Sequence, residues 1–351
     1  MVKKTICFGI AGCGMISKFH AEALKQLSDA VIGAFCSRRI ESAEKRAGEY
    51  GGKVYASIED MAADPEIDVI SICTPSGTHM ETAVAAANAG KHLIIEKPIE
   101  ITTERTDIII DTCKANNVKL GAIFPRRFME TSQILKDAVL CKRFGKVVLA
   151  DVYIKWYRSP EYYSNGGWKG TKNLDGGGAL MNQGIHGIDL LQWVMGGIKK
   201  VSAFTGTLAH TDIEVEDTAV VSVEFNNGAL GVIEGTTASW PGESMRIEIS
   251  GTDGIVIMED EIFTKWQFKN ETDADKLVRE KYGKKLSADS GGATDPGSIN
   301  VEWHKRQFAD FISAIKNNQS PAIDGAEARK AVAVITSIYK SAREQIPVII
   351  R

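Results

Sequence analysis

The chain has 351 residues, 44% of them hydrophobic and 25% charged, with a formal net charge of −3. That length suits roughly two domains of ~150 residues each, and the charge balance carries no basic footprint for nucleic acid. No apolar run reaches the roughly 18 residues of a membrane helix, and the six cysteines show no CxxC spacing, which fits a reducing cytoplasm better than a disulfide framework.

The start, "MVKKTICFGIAGCG", imitates a secretion signal, but its apolar run enters a glycine turn and reads as a strand. From there strand and helix alternate. "TICFGIAG" is a strand and "FHAEALKQL" a helix; "AVIGAFCS" is a strand and "RIESAEKRAGEYG" a helix stopped by Gly51 and Gly52. "IDVISICTP", "KHLIIEKP" and "VKLGAIFP" are further strands, separated by the helices "HMETAVAAANAG" and "TTERTDIIIDTCKANN". Strands that are apolar throughout and separated by helices imply a parallel sheet covered on both faces.

The pattern changes after Pro125. "GKVVLADVYIKW", "KVSAFTGTL", "TAVVSVEFNNGALGVIEGTTASW", "MRIEISGTDGIVIMEDE" and "IFTKWQFK" alternate as half-buried strands, with hairpin turns at Asn227-Gly228 and Asp253-Gly254. Residues 272–298 are polar and Gly-rich and read as a long loop. Two helices close the chain. The fold class is therefore α/β: a Rossmann domain over residues 1–125, then a domain over 126–351 with a large open, mainly antiparallel sheet and the terminal helices.

Gly12 and Gly14 of "GIAGCGMIS" stand between the first strand and its helix, with Ser17 in the third position of a GxGxxG pattern. Gly12 permits the tight turn, and Gly14, with Met15 and Ile16 behind it, lets the backbone approach a pyrophosphate at the helix N-terminus. The second strand ends in Cys36-Ser37-Arg38-Arg39 without the acid that usually binds the NAD ribose. Ser37 and Arg38 suit a 2′-phosphate, and Arg38 an adenine face; the blander reading is that the arginines begin a solvated helix. Both NAD and NADP stay open.

In a doubly wound sheet, ligands lie beyond the carboxyl ends of the strands. Thr74, Pro75 and His79 of "CTPSGTH" and Glu96 and Lys97 of "LIIEKP" fall there and are assigned to the cofactor crevice. A lysine ending a buried strand calls for a reason. In a crevice its cation stabilises a developing alkoxide or relays its proton. No metal site is expected.

"MNQGIHGIDLLQWVM" reads as one helix with Met181, Ile185, Ile188 and Met195 on a core stripe and Asn182, His186, Asp189 and Trp193 on a polar one. A lone histidine there is commonly a satisfied core residue. Gly176, Gly177 and Gly178 before it, however, let the backbone pass close to something, which favours a site. Asp189 is open between orienting the imidazole and a structural role.

With "GIAGCGMIS", "CTPSGTH", "AGKHLIIEKP" and "DGGGALMNQGIHGIDLLQWVMG" in this order, the chain resembles the Gfo/Idh/MocA family of NAD(P)-dependent oxidoreductases over nearly its whole length. The resemblance implies Lys97 and His186 as catalytic, with His186 taking the proton of a substrate hydroxyl. Many members have aspartate where this chain has Asn182. An amide cannot act as a base, which leaves Asn182 to orient the hydroxyl. The resemblance also implies pairing through the open sheet, hence a homodimer or homotetramer.

Between the domains lies "KWYRSPEYYSNGGWKGTKNLDGGG". Its Arg158, Tyr162, Tyr163 and Trp168 are candidates for a carbohydrate pocket, with Arg158 on an anion; Arg126, just after the Rossmann part, adds to them, and His304 and the 272–298 loop complete the wall. A plain surface loop is the alternative. The segment is similar to that of the family's sugar-nucleotide dehydrogenases, which implies oxidation at C3 of a UDP-N-acetylhexosamine or its uronate. Alternatives are oxidation of free sugars or inositols, keto-sugar reduction, lyase or glycosidase chemistry through transient oxidation, and a cofactor-binding sensor.

Overall fold

The computed structural model describes residues 5–164, 167–283 and 300–350. The chain forms two compact units, one holding the residues up to Pro125 together with 299–332, the other holding 126–298 and 333–351.

In the first unit, six parallel strands, β1 (Ile6–Ala11), β2 (Ala30–Cys36), β3 (Lys53–Tyr55), β4 (Val69–Ile72), β5 (His92–Ile95) and β6 (Leu120–Ala122), lie in the order β3-β2-β1-β4-β5-β6. Every residue of β4 is buried, as covering helices on both faces require. These include α1 (Met15–Lys25), α2 (Ile40–Tyr50), α3 (Ile58–Ala63), α4 (His79–Asn88) and α5 (Thr103–Ala115). Ser57 and Thr102 cap α3 and α5 by accepting the Asp60 and Arg105 amides. The strand order reverses between β1 and β4, and a ligand crevice belongs at the carboxyl ends beside that reversal.

The second unit is built on eight strands: β7 (Val147–Lys155), β8 (Ile198–Gly206), β9 (Thr218–Phe225), β10 (Leu230–Thr236), β11 (Arg246–Gly251), β12 (Gly254–Glu259), β13 (Ile262–Phe268) and β14 (Val348–Ile349). Their order is β13-β12-β11-β7-β10-β9-β8-β14, antiparallel except where β10 runs parallel to β7. Burial alternates along each strand, as a sheet with one packed face demands. Val152, Ile154, Val221 and Ile233 are on the buried side, while Phe204, Val220 and Leu230 are exposed. Its helices among the described residues include α6 (Glu130–Leu140), α7 (Pro160–Ser164), α8 (Ile185–Met195) and α9 (Asp273–Tyr282). Gly187 lets α8 close on β7, since a Cβ there would come within 3.0 Å of Val152.

Two sequence expectations need correction. The loop expected from residue 272 is helical over α9. Asp275 accepts the Thr272 amide at 2.7 Å, the Trp266 indole N–H at 2.8 Å and Arg143 at 2.8 Å, so the TxxD pattern of a capping box was present in the sequence and outweighed the polar composition. Residues 284–298 of that expected loop lie outside the described residues.

The closing helices, α10 (Val301–Lys316) and α11 (Gly325–Glu344), were assigned whole to the second domain, yet α10 belongs to the first unit. Its Phe308, Phe311 and Ile312 are buried in one cluster with Phe8, Ile10 and Leu24, and the Phe8 and Phe308 rings meet edge to face at 5.7 Å. Gln307 accepts the Phe124 amide at 3.0 Å and donates to the Ala122 carbonyl. Truncating Phe308 to alanine should therefore lower the unfolding free energy by about 3–5 kcal/mol in urea titration; a loss below ~1 kcal/mol would remove α10 from this core.

Candidate active site

At the end of β1, Gly12 has φ +92, and a Cβ there would lie 2.6 Å from the Cys73 carbonyl. Glycine is required because the turn passes against the end of β4. Gly14 is the N-cap of α1, brings no capping side chain, and no acidic residue sits in the helix's first turn. Gly14 and Met15 are exposed and Ile16 half-buried. An accessible, uncapped helix N-terminus fits the pyrophosphate of a dinucleotide. Ser17 is used internally, its Oγ donating to the Gly14 carbonyl at 2.7 Å. Sequence reading missed Arg46 of α2, which donates to the Gly14 carbonyl at 3.0 Å and to Ser17 at 3.2 Å and so braces the turn. Ser37 Oγ accepts the Arg39 amide at 3.2 Å, and Arg38 is exposed.

Thr74 and Pro75 are half-buried at the end of β4. His79, expected against the cofactor, is buried instead. Its two ring nitrogens lie 2.9 Å from the carbonyl oxygens of Thr74 and Pro98, so the ring staples the loop after β4 to the loop after β5. Of residues 93–100, Lys97 alone is not buried. The Lys97–Pro98 peptide is cis.

Glu96, also expected at the cofactor, turns inward. One carboxylate oxygen lies 2.8 Å from His20 Nε2 and the other accepts the Lys97 amide at 2.9 Å. His20 Nδ1 lies 2.8 Å from Ser71 Oγ. His304, expected in the substrate pocket, joins this group with Nε2 3.9 Å from Glu96, because it shares a helical face with Phe308 and Phe311. Burial works against the Glu96 charge, but the His20 hydrogen bond and the nearby His20, His304 and Lys97 hold its pKa below the ordinary carboxylate value. Burial, with His20 adding to it, lowers His304 from 6.5 to about 4. The donor atoms of His20, Glu96 and His304 lie within 4.8 Å of one another, a spacing open to metals. His20, however, is already bonded on both sides, so the group reads as a hydrogen-bonded support beneath Lys97.

In the second unit the helix expected through Asn182 and His186 is divided. Ala179–Gly184 forms a π-helical turn, and α8 begins at Ile185. Such turns recur at functional sites. Among residues 177–192, His186 alone is not buried. The Asp189 oxygens pair with Arg127 at 2.6 and 2.8 Å, which gives that carboxylate a structural task, and the Arg127 guanidinium lies 5.4 Å from the Trp193 ring. Gly177 and Gly178 pass close to the protein's own Tyr339 and Glu216, where an added Cβ would sit 2.0 Å and 2.1 Å from their oxygens.

Asn182 is buried, donates to Asp175 Oδ1 at 2.6 Å and accepts from Gln183 at 2.9 Å. Gln183 in turn accepts from Arg158 Nε at 3.1 Å and Nη2 at 2.8 Å, and donates to the Tyr162 hydroxyl at 2.8 Å. Arg158, expected on a substrate anion, is only 3% exposed and also donates to the Tyr157 carbonyl at 2.7 Å; it braces this network instead. Tyr163 is likewise buried, donating to Thr237 at 2.9 Å. Half-buried Tyr162, Trp168 and Arg126 remain nearer the surface; the Lys169 ammonium covers the Tyr162 ring at 3.6 Å, and Arg126 reaches Asp260 at 3.2 Å. Asp175, Gln183 and Glu216 were not singled out from the sequence. Their partners are reached across a π-turn or from a segment distant in sequence, which no α-helical pattern marks.

The oxidoreductase family with an NAD-binding Rossmann fold matches residues 6–124, and the GFO/IDH/MocA C-terminal domain matches 132–257. The crystal structure of the WlbA dehydrogenase from Bordetella pertussis, in complex with NADH and UDP-GlcNAcA, superposes with a TM-score of 0.91 at 31% identity, covering 100% of this chain and 99% of that one. Myo-inositol 2-dehydrogenase of Thermotoga maritima is 27% identical over 96% of both chains. D-glucoside 3-dehydrogenase of Escherichia coli is 29% identical over 66% of this chain and 70% of its own.

His304 gives the first unit a pH signature. The unfolded chain takes up its proton near 6.5 and the folded chain only near 4. Stability should therefore fall as pH drops through that window, by at most ~3 kcal/mol. In His304→Gln the urea midpoint should flatten between those values; an unchanged slope would place the titration on another group.

Proposed function

Because the chain belongs to the Gfo/Idh/MocA oxidoreductases, with their NAD-binding Rossmann domain, we propose that it moves a hydride between NAD and a secondary alcohol of a sugar, specifically C3 of a UDP-N-acetylhexosamine or its uronate. The observation that carries the specific reading is the full-length likeness, at 31% identity, to an enzyme crystallised with NADH and UDP-GlcNAcA. NAD, when bound, would supply the hydride acceptor, with its pyrophosphate held at the uncapped N-terminus of α1. His186, the one group of its segment that reaches the surface, takes the hydroxyl proton. Lys97, similarly placed at the end of β5, stabilises the alkoxide as it forms. Asn182 lacks basicity, and with its amide held by Asp175 and Gln183 it orients the hydroxyl. The exposed Phe204, Val220 and Leu230 of the second sheet supply the self-association surface of a homodimer or homotetramer.

A second reading, oxidation of a free polyol, is favoured by the near full-length match to an inositol dehydrogenase. Purified protein with NAD, UDP-GlcNAcA, UDP-GlcNAc, free sugars and myo-inositol, followed by reduced-nicotinamide absorbance, separates the two. Signal with a UDP-sugar alone supports the first reading; signal with myo-inositol alone moves the second ahead of it. Lys97→Met should cut turnover by about 10²–10⁴-fold while NAD affinity, measured by fluorescence titration, stays the same. Wild-type turnover in that variant would remove Lys97 from the chemistry.

A further inference from the structure

One side chain meets the start of the segment that carries Asn182 and His186. Glu216 Oε2 accepts the Gly178 amide at 3.0 Å, its main-chain oxygen accepts the Ala179 amide at 2.9 Å, and Oε1 accepts the Leu180 amide at 2.8 Å. Three consecutive donors at a helical N-terminus, groups that otherwise lack partners, thus end on one residue. Tyr339 completes the arrangement by donating its hydroxyl to Glu216 Oε1 at 2.8 Å. The glycines are the other half of the fit, because a Cβ at Gly177 or Gly178 would overlap Tyr339 or Glu216. Burial raises the Glu216 carboxyl against its amide donors, and burial beside Glu216 holds the Tyr339 hydroxyl protonated, hence a donor.

We propose that Glu216 and Tyr339 are positioning residues which, with the glycine run, fix the start of the π-helical turn and thereby the reach of Asn182 and His186 toward the substrate hydroxyl. Neither needs to touch substrate or cofactor. A π-turn advances its side chains by a different angle per residue than an α-turn, so the phase of His186 depends on where the segment begins. Glutamine at 216 keeps the size but offers an N–H₂ group where an amide must be accepted. Phenylalanine at 339 keeps the packing and withdraws one donor.

The inference rests on His186 handling the proton, and the test separates the two ideas. Turnover is measured with NAD and UDP-GlcNAcA, or with myo-inositol if that is the alcohol oxidised. Glu216→Gln should lower kcat about 100-fold, the scale of a ~1 Å displacement, with KM moved less than about threefold. Tyr339→Phe should lower kcat about tenfold and carries the test if the glutamine variant does not fold. In a His186→Ala background either substitution should cost several-fold less than in the wild type, because the proton-accepting group is gone and only Asn182 is left to be aimed. With only six histidines in the chain, the His186 ring proton can also be followed by NMR. It should shift in either variant while those of His20 and His79 stay in place. Normal turnover in His186→Ala overturns the proton assignment and the inference with it. Impaired His186→Ala with fully additive losses, or an unmoved His186 resonance, overturns the inference alone.

Discussion

A carboxylate withdrawn from water costs several kcal/mol unless donors surround it, and that demand shapes the surroundings of both candidate catalytic groups. In the first unit Glu96 is buried and meets its demand with His20 and the amide of Lys97. In the second, Glu216 meets it with the amides that open the segment leading to His186. Each acid is internal and accepts main-chain amides of the segment that carries the candidate group. The arrangement separates two tasks: the buried group fixes backbone, and the half-buried candidate beside it stays accessible.

The same division explains which side chains of the expected site turned inward. Arg158, Tyr163, His79 and His304 are of the types that bind sugars and phosphates, yet each is buried, the first three hydrogen-bonded within their own units and His304 packed 3.9 Å from Glu96. Residue type carried the expectation, whereas burial was decided by neighbours that type does not report. His304 shows the cause most directly, since its helical face is shared with Phe308 and Phe311, and the core took all three.

Much was nonetheless legible in the sequence. Continuous apolar strands marked the parallel sheet, alternation marked the second one, and the strand-end positions of Gly12, Thr74 and Lys97 followed from the βαβ rule. Asn182 and His186 could be picked out as polar residues in an apolar stretch. Their π-turn could not, because it depends on Glu216, which lies on the approach to β9 and has no periodic relation to the helix. The glycine run was read as a close approach; the sequence did not reveal that the approaching groups belong to the protein itself.

The membership of α10 in the first unit bears on how the chain comes to be folded during its synthesis. Phe308, Phe311 and Ile312 complete a core whose other members, such as Phe8 and Leu24, leave the ribosome first. The nucleotide-binding half must therefore wait, its apolar floor open, while β7 to β13 of the second sheet are made. At ~5–20 residues per second that interval is roughly ten to forty seconds, long enough for chaperone capture to compete with completion of the domain.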